Sequence, residues 1–117
     1  MSAAPQSPGD GFVRVASLRE LPEGGLLGVR LPDGEPVCLV HDGGSVCAVG
    51  DECPHQGFAL SSGELIENGT IECVWHGARF DCRSGAVLRG PAEEGLTIFE
   101  TRVVGDDVFV ARRAAGR

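Results

Sequence analysis

An all-β domain, either an antiparallel sandwich or a small barrel, is the fold predicted for this chain. Three observations predict it: short apolar runs recur at close spacing, Gly and Pro punctuate them, and there is neither an internal repeat nor a long amphipathic helix. With 18 Gly and 7 Pro in 117 residues, the sequence favours many turns over long helices. That length allows one domain with a modest core and leaves no room for a second catalytic unit.

The elements follow in order. Residues 1–11 are small, polar and proline-bearing, without the apolar core of a secretory signal, and read as a disordered leader to a single domain over 12–113. Phe12 to Ala16 alternates as a first strand, and Ser17 is a candidate N-cap for one helical turn through Glu20. Leu26 to Leu31, Val37 to His41 and Val46 to Val49 read as strands. Their separators, Pro32-Asp33-Gly34 and Asp42-Gly43-Gly44, are strong turn signals, the second short enough for a tight hairpin. Glu52 to Ser62 is then a long loop. Thr70 to Val74 enters a second loop, Arg79 to Cys82 leaves it, and Ser84-Gly85 turns the chain. Leu96 to Val104 and Val108 to Arg112 are the last strands, joined through Gly105-Asp106-Asp107.

The formal net charge of −7 makes nucleic acid an unsuitable partner, because phosphates demand a basic surface. It suits a basic docking face on a partner protein, where complementary charge speeds encounter. Glu93-Glu94 and Asp106-Asp107 are the acidic pairs available for this, although each also fits a solvated turn. No apolar run approaches membrane-spanning length, and a soluble, cytoplasmic protein with reduced thiols is expected.

Two short motifs carry the chemistry: Cys53-Pro54-His55-Gln56-Gly57 and Cys73-Val74-Trp75-His76-Gly77. Each offers a thiolate and an imidazole within a tight turn, together a Cys2His2 metal set. In Cys-x-His the two side chains are so close in sequence that one tetrahedral ion gains little from the chelate. Two adjacent metals suit the spacing better, as in a binuclear iron-sulfur cluster with both cysteines on one iron and both histidines on the other. Gly57 and Gly77 permit ligand-bearing turns and let backbone N–H groups approach inorganic sulfide. A zinc site is the alternative occupant, but zinc fingers keep their Cys pair and His pair apart. A Cys53–Cys73 disulfide fits poorly with five cysteines and no signal peptide. Cys38 and Cys47 read as core thiols in buried strands. Cys82, close behind the second loop, reads as a core thiol that can lie near the metals without binding them.

The chain resembles the Rieske family, specifically its small soluble ferredoxins, through these two motifs and through Ala78-Arg79-Phe80-Asp81, Ser84-Gly85 and Gly90-Pro91-Ala92. The last of these is similar to the proline loop that covers the cluster in that family. The resemblance runs from about Phe12 to Ala111. It implies one Rieske-type [2Fe-2S] cluster per chain, with Cys53 and Cys73 on an iron that stays ferric and His55 and His76 on the iron that accepts the electron. It also implies a cluster-binding subdomain, about residues 51–91, inserted into the β base. Gln56, Phe58 and Trp75 would flank the cluster tip and Pro91 would shield it, although ordinary loop packing explains Phe58 and Trp75 equally well.

High-potential members of the family link the two loops with a disulfide and donate Ser and Tyr hydroxyls to sulfur. Here Phe58 and Trp75 stand at the disulfide positions, and Ala78 and Phe80 at the hydroxyl positions, so a low-potential ferredoxin is expected. The resemblance implies a one-electron carrier between a flavin-dependent reductase and a terminal oxygenase such as an aromatic-ring dioxygenase, with no catalytic residues of its own. An oxygenase large subunit would need a mononuclear iron site with two further His, and of the three histidines only His41 remains. The small subunit of an assimilatory NAD(P)H nitrite reductase is the alternative role for the same cluster, and a zinc-bound interaction module is the alternative from another class.

Overall fold

The computed structural model describes residues 11–52, 59–74, 77–89 and 95–112. Within them, strands β1 (Val13–Ser17), β2 (Leu26–Arg30), β3 (Pro36–Asp42), β4 (Ser45–Gly50), β9 (Ile98–Val104) and β10 (Asp107–Arg112) form an antiparallel sheet in the order β1-β10-β9-β4-β3-β2. Its outer strands, β1 and β2, also touch, so the sheet is nearly closed on itself. A second antiparallel sheet, β5 (Glu64–Ile66), β6 (Thr70–Glu72), β7 (Arg79–Asp81) and β8 (Val87–Arg89), lies between β4 and β9 in sequence.

Local sequence accounts for the turns. Asp42 pairs with Ser45, leaving Gly43 and Gly44 as a two-residue loop with φ of 63° and 82°, the mirror-image turn that matches strand twist. Glu23 clamps this loop from outside, its carboxylate accepting from the Gly43 and Gly44 amides at 2.6 and 3.0 Å. Those bonds hold the Glu23 carboxyl below its ordinary range. Ser17 caps a 3-10 turn over Leu18–Glu20: its hydroxyl accepts from Arg19 N at 3.2 Å, and Glu20 returns a bond to the Ser17 amide at 2.9 Å.

Strands β3 and β4 are buried on both faces, which explains their unbroken apolar runs. Val37, Leu39 and Ala48 point into the nearly closed sheet, among Ala16, Leu21, Leu31, Phe99, Val108 and Val110. Their neighbours Cys38, Val40, Cys47 and Val49 face the other way and pack with Leu60, Ile71, Cys73, Ala78, Phe80, Cys82 and Leu96. One pair of strands therefore serves two cores, and the second core joins the two sheets.

The strands expected at 12–16, 26–31, 37–41, 46–49, 79–82, 96–104 and 108–112 are present with ends moved by one or two residues. β6 stops at Glu72, short of the expected Val74, because the ladder gives way to a loop at Cys73. Two strands went unread, β5 and β8. Each is three residues long, too short for a period to register. The leader assigned to residues 1–11 and the domain end at 113 lie outside the described residues, Gly11 excepted.

Candidate metal centre

Of the four residues assigned as ligands from the sequence, Cys73 is among the described residues, and Cys53, His55 and His76 lie outside them. So do Gln56, Phe58, Trp75, Pro91, Glu93 and Glu94. Cys73 is 1% exposed and belongs to the core between the two sheets.

The loop of the second motif hangs from the β6–β7 hairpin. The Cys73 amide donates to the Ala78 carbonyl at 2.8 Å, closing residues 73–78 at their base. One step below, Glu72 and Arg79 are cross-strand partners, with Arg79 Nε donating to Glu72 Oε2 at 2.9 Å. Gly77 has φ of 70°, a backbone that a side chain would strain. Gly77 thus takes up the conformational freedom that the sequence leads one to expect at the end of the second motif.

The segment with the first motif is pinned in a different way. Asp51, just after β4, is 9% exposed, and its two carboxylate oxygens accept from the Ser61 amide at 2.7 Å and the Ser61 hydroxyl at 2.6 Å. Asp51 itself donates from its amide to Pro36 O at 3.1 Å. Both ends of residues 52–60 are thereby tied to the base sheet. Gly28 on β2 makes room for the tie, since a Cβ there would lie 2.7 Å from Ser61 Oγ and 2.9 Å from Asp51 Oδ2. Replacing Asp51 with Ala orphans the Ser61 donors in a mostly buried place. The expected result is a loss of about 2 kcal/mol in unfolding free energy, measured by urea denaturation, with faster iron release.

The two segments meet where Gly63, just after the first, lies against the backbone carbonyl of Glu72, just before Cys73. Behind this junction, Ala78 and Phe80 are fully buried in the core that also holds Cys73.

The remaining titratable candidates are structural. His41 Nδ1 lies 2.9 Å from Leu21 O and Nε2 lies 3.5 Å from Glu23 Oε1, so the ring braces the β3–β4 turn rather than standing free at a strand end. Asp107 is paired with Arg14 at 2.7 Å, and the Asp106 carbonyl accepts from Leu18 N, which accounts for that acidic pair as a packed turn. Cys38, Cys47 and Cys82 are core thiols, as expected. Burial pushes the Cys38 thiol up. A hydrogen bond from Cys82 Sγ to Cys47 Sγ holds the Cys47 thiol below its ordinary value and, with burial, pushes that of Cys82 up.

The loop supports missed from the sequence are Asp51–Ser61 and Glu72–Arg79. Both are ordinary polar residues, and the one signal for them is position: each pair flanks a Cys-containing motif.

Sequence and structure comparisons agree on what such loops hold. Residues 11–100 match the model of the Rieske [2Fe-2S] domain. The 3-phenylpropionate/cinnamic acid dioxygenase ferredoxin subunit of Shigella boydii is 34% identical over 91 residues, 78% of this chain and 84% of that one. The ferredoxin of carbazole 1,9a-dioxygenase from Nocardioides aromaticivorans superposes with a TM-score of 0.80 at 34% identity, covering 89% of this chain and all of that one. A Mycobacterium tuberculosis protein described as an NADH-dependent nitrite reductase small subunit gives a TM-score of 0.77 at 28% identity, covering 89% and 96%. A two-sheet β fold, a buried Cys73 at the neck of a hairpin loop and these matches together make the chain a member of the Rieske [2Fe-2S] family, a ferredoxin-type electron carrier.

Proposed function

We propose that this ferredoxin takes one electron from a flavin-dependent reductase and passes it to a terminal oxygenase of the aromatic-ring dioxygenase kind, in the cytoplasm. The observation that carries the reading is the burial of Cys73 at the closed neck of a six-residue loop, in a chain whose relatives are dioxygenase ferredoxins. Cys53 and Cys73 would hold one iron and His55 and His76 the other. The residues fit the group: two thiolates and two imidazoles match its two ends, and Gly77 supplies the positive-φ turn. When bound, the cluster supplies a one-electron redox couple.

The chain's own residues would do three things. The Asp51–Ser61 and Glu72–Arg79 ties keep the loops from rearranging as charge changes. Ala78 and Phe80 withhold hydroxyl donors from sulfur, which disfavours added negative charge and keeps the potential low. Ala78→Ser is expected to raise the midpoint potential by about 40 mV, the one-electron equivalent of roughly 1 kcal/mol, read by protein-film voltammetry. Val74, next to Cys73 and 58% exposed, offers partners an apolar contact at the loop.

Electron paramagnetic resonance of the dithionite-reduced protein tests the ligand set. The low average g of a histidine-ligated pair is expected, and an all-thiolate signal or a colourless zinc protein refutes it. For the partner, Val74→Asp is expected to slow electron delivery to a dioxygenase roughly tenfold with the spectrum unchanged. The nitrite reductase resemblance supports a second reading, distinguished by stable co-purification with a large sirohaem flavoprotein instead of transient contact.

A further inference from the structure

Cys47 and Cys82 lie outside the ligand set, yet the fold brings them together. Cys47 sits on β4 of the base sheet and Cys82 follows β7 of the second sheet, with Sγ 2.8 Å from Sγ, closer than two sulfurs in simple van der Waals contact. Both side chains are buried, at 9% and 1% exposure, and both are thiols in this structure. The Cys82 amide is held by Gly69 O at 2.9 Å, which fixes the sulfur's approach. Near the pair lies a partly exposed ion pair, Arg83 to Asp42 at 3.3 Å.

We propose that Cys47 and Cys82 are an oxidisable pair that closes to a disulfide when the protein meets hydrogen peroxide. Cys47, the more exposed residue of the two, attacks one peroxide oxygen; the O–O bond breaks, water leaves and Cys47 becomes a sulfenic acid. Cys82 then attacks the Cys47 sulfur, the S–O bond breaks and a second water leaves. Two thiols and one peroxide thus give one disulfide and two waters, with two electrons passing from sulfur to oxygen. A dithiol reductant reverses the bond.

The consequence follows from chain order. Cys53, His55, Cys73 and His76 all lie between positions 47 and 82, so the bond places both metal-binding motifs inside one covalent ring and staples the second sheet to the first. Cross-linking residues 35 apart removes much of the freedom of the opened state. It opposes the separation of the sheets through which the metals would be lost.

The test uses the holoprotein and hydrogen peroxide. After exposure, the protein is denatured in N-ethylmaleimide and cut at Arg and Glu. Peptide 80–83 is expected to appear joined to peptide 31–52, two hydrogens lighter than their sum, and to persist in Cys38→Ala. The thermal midpoint should rise by about 10 °C, revert with dithiothreitol, and stay unmoved by peroxide in Cys47→Ala and Cys82→Ala. Recovery of both residues as maleimide adducts, or linkage of peptide 80–83 to a peptide bearing Cys53 or Cys73, overturns the proposal. Fragmentation of the linked peptide from the unaltered protein, with Cys38 as its maleimide adduct, assigns the bond to Cys47, so the result stands whether or not the variants fold.

Discussion

Cys73→Ala is expected to produce a colourless protein whose iron and acid-labile sulfide fall to background. Cys73 is 1% exposed and its amide closes the loop neck on Ala78, so the substitution removes a proposed thiolate ligand from a fixed, buried position. Metal binding is also folding free energy, so the thermal midpoint should fall along with the metal. Cys38→Ala is the control. That thiol is equally buried, on the face of β3 that packs against the same core, and its removal should cost about 1 kcal/mol and leave iron and sulfide unchanged. Retention of both iron and sulfide in Cys73→Ala would exclude this cysteine as a ligand.

Gly63→Ala should be nearly as severe, although it touches no ligand. A Cβ at Gly63 would overlap the Glu72 carbonyl oxygen, a backbone atom that cannot move aside as a flexible side chain would. Glu64 is paired with Glu72 in the ladder, so the collision is relieved only by tilting β5 away from β6 or by turning the Glu72 carbonyl, one residue before Cys73. The expected cost is about 3 kcal/mol, with faster iron loss under chelator challenge. Gly50→Ala supplies the comparison. Its Cβ would meet Thr97 Cβ at 3.6 Å, an ordinary contact, and the variant should lose less than about 1 kcal/mol. Equal behaviour of the two variants would remove the junction from the account.

Much of this was legible in the chain. The apolar runs around Cys38 and Cys47 announced buried strands, and Asp42-Gly43-Gly44 announced a hairpin because two consecutive positive φ angles are cheap only for glycine. The Cys-x-His and Cys-x-x-His motifs carried the metal chemistry, since ligand type and spacing are local properties of sequence. β5 and β8 were not legible, because three-residue strands are specified by their neighbours in the sheet more than by their own side chains.

The sequence by itself therefore determined the fold class, the turn positions and the candidate ligand set, each of which depends on residues within a few positions of one another. Only the tertiary structure decided that β3 and β4 serve two cores, that Asp51 ties to Ser61, and that Gly63 abuts Glu72. It also brought Cys47 to Cys82 across two sheets. These are pairings between residues far apart in the chain, made by the stacking of one sheet on another, and no local spacing encodes them.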